Sequence, residues 1–404
     1  NTFTGATTVN AGTLSLRSNA ALGTAATGTT VANGAALELQ NGITVTGEAL
    51  SLAGTGVSSA GALRNLSGAN TWTGALTLTA ASEIQSDAGT LTLTGSIGGP
   101  TFGLTFDGAG DIVASGVVGT TSGSLTKNGS GALTLSNAAN TFTGGLTVAG
   151  GTLTLATSSS ISSANTLSLS GGTLNLDTNA TVASLLGDGG TLNFGNGKTL
   201  TLAQIGATSY TGALGGGGNL TVSSGTLTLS GGGEMTGRIM VQSGATVRLG
   251  ANHSSPTTGL PDGASLHLSG GTLDLAGHTQ STFGAFTLGA SSTIDFGASA
   301  ASSIAFSGVG SWSGTLTITN YTVGSGDLLR FGTNLNGLSL LQLGNVTFVG
   351  YGPGATIDSQ GYVSPSAIPE PATVAVSLGA AALAFALRRR RITALHSTPP
   401  TNSR

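Results

Sequence analysis

Residues 131–155 read GALTLSNAANTFTGGLTVAGGTLTL, and the reading of this stretch decides the fold. It opens and closes on one phrase, Gly131-Ala-Leu-Thr-Leu and Gly151-Thr-Leu-Thr-Leu, with an Asn-Thr-aromatic-Thr-Gly element at 140–144 between them. The two leucines of each phrase stand two residues apart, so on an extended chain they share one face and the threonines take the other. The glycine before the triplet supplies the positive φ, or the close backbone approach, that a turn requires. One such strand cannot bury its leucines alone. Copies stacked in register can do so, leucine over leucine, with Thr, Ser and Asn left in outward ladders.

The phrase recurs along the chain. Gly12, Gly89, Gly172, Gly225 and Gly271 open further copies, Gly190 and Gly314 open copies ending in Phe or Ile, and Gly34 opens a variant. Where the matches are densest, at Gly131, Gly151, Gly172 and Gly190, the spacings are 20, 21 and 18 residues, the length of one solenoid coil. A longer repeat overlies this one. Asn-Thr-aromatic-Thr-Gly stands at 1–5, 70–74 and 140–144, with a degenerate TSYTG at 208–212, an interval of about 69 residues. The aromatics Phe3, Trp72, Phe142 and Tyr210 are expected to plug the core of a coil. Propellers favour periods nearer 40–50 residues, and a sandwich would show longer strands. The expectation is therefore an all-β chain, a right-handed parallel β-helix (β-solenoid), with no helix before residue 370.

Composition agrees. Charged residues make up 7% of the 404 against about 25% in an ordinary domain, and glycine supplies 69. The long charged side chains that clothe helices are nearly absent, whereas Thr, Val and Gly suit strands and tight turns. Absence of cysteine excludes a disulfide framework and thiolate metal sites. A net charge of −3 gives no electrostatic basis for nucleic-acid binding. The chain opens inside a repeat, without Met or a signal peptide, and is read as a piece of a longer protein.

The repeats resemble the autotransporter-associated β-strand repeat of bacterial secreted passengers, whose pattern runs G-[TA]-L-x-L-x-x-x-N-[TS]-[YF]-[ST]-G-G-x-T-x-x-x-G-x-L. Residues 131–155 follow it almost throughout, and the likeness extends weakly over 1–320. It implies a β-helical secreted body and no particular reaction, because such scaffolds carry adhesins, fibres and enzymes alike. No alternating ten-residue strands of an outer-membrane barrel follow residue 320, so a complete autotransporter is not expected.

The texture changes near residue 320, where the Gly-Thr-Leu rhythm stops and Tyr321, Phe331, Phe348, Tyr351 and Tyr362 appear. The expected organisation is a repeat body at 1–319, a C-terminal cap at 320–362, and an exposed linker at 363–368. Pro369-Glu370-Pro371 then precedes sixteen uncharged residues, 372–387, and four arginines, Arg388, Arg389, Arg390 and Arg391. As a helix that run spans roughly 24 Å, short of a bilayer core of about 30 Å unless Ile392 joins it and the arginines snorkel. The positive-inside tendency keeps the arginines, and the tail 392–404, in the cytoplasm. The order of proline-flanked glutamate, short apolar helix and arginine cluster resembles the PEP-CTERM sorting signal recognised by exosortases of Gram-negative bacteria. That resemblance implies a recognition motif at Pro369, Glu370 and Pro371, a transmembrane helix at 372–387 and a cytoplasmic stop at Arg388–Arg391. It also implies an exosortase partner, a transient inner-membrane stage, and a destination at the cell surface or in an extracellular matrix rich in polysaccharide. The tail beyond the arginines is longer than the signal usually carries.

Candidate chemistry is sparse. The densest group of ionisable residues is His253, Asp262, His267, Asp274 and His278, where alternation with leucines turns His267 and Asp274 outward, and solvated surface residues are the expectation. Asp107-Gly-Ala-Gly-Asp111 lacks the repeated array of calcium-binding solenoids, and the glycine runs at 187–190 and 215–218 lack the Lys-Ser/Thr of a phosphate loop. The sequence thus predicts a non-enzymatic structural or adhesive surface protein without cofactor or metal. The alternatives are a polysaccharide lyase or hydrolase on the same scaffold, and a membrane-tethered protein whose tail stays uncleaved.

Overall fold

A computed structural model describes residues 1–156, 161–253, 257–280, 283–298 and 301–366 of the chain. These residues form a continuous parallel β-solenoid. Strands of successive coils pair side by side, and every strand ladder before the last coil is parallel.

The Gly-Thr-Leu phrases are the rungs. Ala132–Leu135, Thr152–Leu155, Thr173–Leu176, Thr191–Phe194 and Ala213–Gly216 lie side by side in one sheet. Their registers pair Leu133 with Leu153, Leu153 with Leu174, Leu174 with Leu192 and Leu192 with Leu214. The repeat spacings are therefore the coil lengths. Leu133, Leu153, Leu174 and Leu192 are fully buried, forming one unbroken column of the core. Beside them the outward positions make the expected ladder, in which Asn193 Nδ2 donates to Asn175 Oδ1 at 3.2 Å and Asn175 Nδ2 to Thr154 Oγ1 at 3.4 Å.

Both expected uses of the leading glycine occur. Gly151 adopts φ +56°, in the left-handed region that penalises a side chain. Gly131 has ordinary φ, but a Cβ there would run into the carbonyl oxygen of Gly110 in the coil before.

Corners are turned in two ways. Short turns join most strands of a coil, whereas Leu76–Ser86 runs through a corner without ending. Its first half pairs with Leu50–Gly54 and its second with Leu63–Asn65, so one strand belongs to two faces. Thr199–Tyr210 and Asn219–Leu229 do the same later in the chain.

The Asn-Thr-aromatic-Thr-Gly element serves both core and backbone. Trp72, Phe142 and Tyr210 are fully buried as core plugs. Phe3, in the first coil, is instead 43% exposed. The asparagine has a role that alternation could not show. Asn70 Oδ1 accepts the Ile43 amide at 2.7 Å while its Nδ2 donates to the Ser67 carbonyl at 2.8 Å. Asn140 repeats the device, accepting from the Val118 amide at 2.9 Å and donating to the Asn137 carbonyl at 3.0 Å. Each side chain thus satisfies a backbone donor of the preceding coil at a corner, where the ladder is interrupted.

Parallel stacking continues into the segment expected as a cap, where Leu316 pairs with Val346 and Ser303 with Leu328. Two expectations need correction at the C-terminal end. A short helix, α1 (Leu340–Gly344), stands where none was expected before 370. Ser339 and Gln342 explain it: the Ser339 side chain accepts the Gln342 amide at 3.3 Å, and Gln342 Oε1 accepts the Ser339 amide at 2.8 Å, a reciprocal capping box. Finally, part of the stretch 363–368 expected as an exposed linker is a strand, Tyr362–Pro365, with Val363 buried, while 367–368 lie outside the described residues. This strand pairs antiparallel with both Leu328–Phe331 and Ala355–Ile357, and Val346–Phe348 is likewise met antiparallel by Gly352–Pro353. The reversal of strand direction is confined to this last coil among the strand ladders of the described residues.

Candidate functional site

The sorting residues Pro369, Glu370, Pro371 and Arg388–Arg391, and the apolar run 372–387, lie outside the described residues. Within the described residues no helix is long and apolar enough to cross a membrane.

The histidine-rich group does not converge. Its members are spread over two neighbouring coils, and most are engaged locally. His253 Nε2 meets Asp262 Oδ1 at 3.1 Å, with only 8% of the imidazole side chain exposed, so this pair is partly buried and not the solvated surface expected. His278 Nδ1 lies 3.2 Å from Asn252 Oδ1, and Asp274 pairs with Arg248 at 3.3 Å. His267 and Asp274 both stand on outward positions, on adjacent strands Ser265–Ser269 and Thr272–Asp274 of one coil that are split by a corner at Gly270. Burial, then the nearby Arg238 charge, lowers the basicity of His267. No group of three or more metal-ligating side chains forms among the described residues.

A second concentration of charge, which the sequence did not single out, sits in the N-terminal coils. Glu38, Arg64 and Gln85 occupy one outward ladder over three successive coils. Arg64 bridges neighbours, with Nη1 2.9 Å from Glu38 Oε1 and Nε 2.8 Å from Asp87 Oδ2. Its guanidinium is held even more firmly protonated, chiefly by the hydrogen bond to Asp87. On the same strand as Gln85, Glu83 is 8% exposed, and burial followed by the negative charge of Asp107 pushes its carboxyl from 4.5 to about 7. Lys127 is the oddest member. It takes an inward position in register with Phe106 and Val148, so its methylenes fill the core. Its ammonium reaches the carbonyls of Asn128 and, at 3.1 Å, Gly129. Burial lowers its pKa, while Asp107 and Asp111 act in the opposite sense.

These groups are explained by structure. Asp107 Oδ1 accepts the Gly108 amide at 2.6 Å and Asp111 Oδ1 the Ala132 amide at 3.0 Å, so the Asp-Gly-Ala-Gly-Asp turn spends its carboxylates on backbone. The glycines at 187–190 and 215–218 fall at corners and rungs, where side chains would strike the adjacent coil: a Cβ on Gly187 would meet Leu169, and one on Gly216 would meet Phe194. Sequence alternation could not reveal the charged ladder, because Glu38 and Arg64 are 26 residues apart and become neighbours only through coil stacking.

Comparison with known families gives one match. Residues 1–16 and 125–155 match the family model of the passenger-associated transport repeat. The match falls on two stretches of the repeat body and supports the resemblance read from 131–155. No curated protein and no solved structure matches the chain.

Proposed function

We propose that this chain is a secreted, non-enzymatic surface rod that passes through an inner-membrane stage by way of its C-terminal tail. The observation that carries the reading is the join of two parts: a stack of sparsely charged coils bearing passenger-type repeats, and a tail of Pro369-Glu370-Pro371, an uncharged run and four arginines. On this reading 372–387 crosses the membrane, Arg388–Arg391 stay cytoplasmic, and an exosortase-type enzyme acts at Pro369–Pro371. The reversed strands of the last coil then serve as a cap that covers the open edge of the stack. The coil is taken as right-handed, the hand that parallel crossover connections almost always adopt. The outward Thr, Ser and Asn ladders present hydroxyl and amide groups suited to extracellular polysaccharide, and no cofactor enters.

The carbohydrate-active alternative draws on Glu83, whose raised pKa beside Asp107 has the character of a general acid near a second carboxylate. Its burial leaves a substrate little of the carboxyl to reach, which favours the structural reading.

The deciding experiment is the intact mass of the C-terminus, taken separately from membranes and from the surface of an exosortase-positive host. A surface form ending near Pro369 supports sorting and release. A full-length species confined to the membrane makes the tail a permanent anchor and refutes processing.

A further inference from the structure

The last coil exposes apolar side chains that the rest of the solenoid does not. Leu340 is 88% exposed and Leu341 78%, side by side at the start of α1, while Leu335 and Val349 are each 56% exposed. Elsewhere in the described residues such exposure among large apolar side chains is isolated, as at Ile205 in a bulged strand. The leucines are not loosely placed. The Ser339–Gln342 capping box fixes the first turn of α1, and Leu343 on its inner side is buried. Leu335, Leu338, Leu340 and Leu343 also line, with Ala355 and Ile357, a depression of about 510 Å³. The surroundings are almost without charge, since Asp358 is the only ionisable acid or base from Gly332 to Ser366 apart from tyrosines. Such an uncharged apolar patch marks a contact surface.

Its position says with what. Helix α1 packs on Ala355–Ile357, and that strand pairs with Tyr362–Pro365, the last strand of the described chain. Ser366 is pinned beside it, its amide donating to the Gly354 carbonyl at 3.3 Å and its hydroxyl to the Pro353 carbonyl at 3.2 Å. Five residues, 367–371, separate this point from the apolar run at 372–387. Fully extended, they span roughly 20 Å. If that run is membrane-embedded, as proposed above, the exposed leucines are held within reach of the same bilayer. Bringing them into the headgroup region desolvates little charge and removes apolar surface from water.

We infer that the C-terminal pole of the solenoid, through Leu335, Leu340, Leu341 and Val349, docks on the lipid surface while the tail is inserted. This inference rests on the tail reading. The pole thereby fixes the rod's angle to the membrane and holds the Pro-Glu-Pro segment at the interface. Cleavage of the tail would release both contacts together.

The chain has no cysteine, so single probes are clean. Full-length Leu341→Cys, and Thr77→Cys on an exposed outward position of the body, would carry an environment-sensitive fluorophore and be reconstituted in phosphatidylcholine vesicles. Docking predicts that the label at 341 shifts to the blue, loses most of its quenching by aqueous iodide, and is quenched by lipids spin-labelled near the headgroup. The label at 77 should behave as in solution. Chain that floats with vesicles while position 341 stays as iodide-accessible as position 77 overturns the docking and leaves the tail reading intact. Chain that does not float with vesicles overturns both. Protection of position 341 that needs no lipid and rises with protein concentration assigns the patch to a second copy and also overturns the docking.

Discussion

Leu153 and Thr152 are adjacent in sequence and lie on opposite faces of one rung, so a single substitution at each tests the phase of the whole stack. Leu153 is fully buried, in register between Leu133 and Leu174. Removing its side chain alone would cost about 3 kcal/mol in lost burial and cavity formation. Aspartate adds the penalty of placing an acid among leucines with no partner, which makes Leu153→Asp worth roughly 5 kcal/mol or more. Thr152 faces outward between Ala132 and Thr173. The next carboxylate in that ladder, Asp111, is two coils away, about 10 Å at the usual strand spacing, so Thr152→Asp should change stability by no more than about 0.5 kcal/mol. Because each coil touches only its neighbours, the Leu153 lesion should stay local. Limited proteolysis with thermolysin, read by mass spectrometry, suits this case since it cuts at apolar residues that the stack hides. Leu153→Asp should open cuts across the coils from Leu133 to Leu174 while Ser265–Ser269 and its neighbours stay resistant. Equal loss of resistance in both variants, or none in Leu153→Asp, would refute the inward assignment of the leucines.

Three further outcomes follow from particular side chains. Glu83 has a folded pKa of about 7 against 4.5, so its contribution is fully present below pH 4.5 and lost as pH rises through 7; the loss is at most about 3 kcal/mol, less what solvent screening removes. Glu83→Gln should therefore raise the melting temperature at pH 8 relative to the parent and leave it nearly unchanged at pH 4, and a pH-independent difference would contradict the assignment. Asn70→Ala removes the acceptor of the buried Ile43 amide, which should lower stability by about 1–3 kcal/mol and speed hydrogen exchange at that amide before others in its coil. Trp72 is fully buried with its indole N–H unpartnered, and the other strong copies of the element carry Phe, so Trp72→Phe should cost less than about 1 kcal/mol where Trp72→Ala costs about 3–5; comparable melting of the two variants would count against the plug reading.

Much of the fold was legible because the signal is redundant. One phrase repeated at coil length states the strand, its buried face and the stacking register together, and the pairing of Leu133 through Leu214 follows that spacing. What escaped was either local or three-dimensional. Helix α1 depends on a capping pair, Ser339 and Gln342, inside a five-residue element too short to show a period. The strand Tyr362–Pro365 has no glycine phrase and ends in proline, which suits an edge strand and reads as linker. The Glu38–Arg64–Asp87 contacts join residues more than twenty apart, and the corner asparagines act through coils they do not adjoin in sequence. His253 illustrates the converse. It looked like a solvated surface residue, whereas its imidazole is largely buried against Asp262.

The distribution of charge ties the fold to the proposed role. In a stack whose coils nearly coincide, an ionised residue placed on every rung would sit about 5 Å from its own copy, and like charges at that distance repel. A long regular ladder therefore favours neutral polar side chains that bond to the next coil, as Asn175 and Asn193 do. Opposite signs do fall on neighbouring rungs at Glu38 with Arg64 and Arg248 with Asp274, although Asp295 then stands in register beside Asp274. The same constraint leaves charge sparse on the rod's surface. It leaves many weak, identical hydroxyl and amide groups along one axis. Affinity for a partner on such a surface must come from repetition rather than from any one site, and repetition counts only when the partner is itself a long polymer of like units held close by. An extracellular polysaccharide meets that condition.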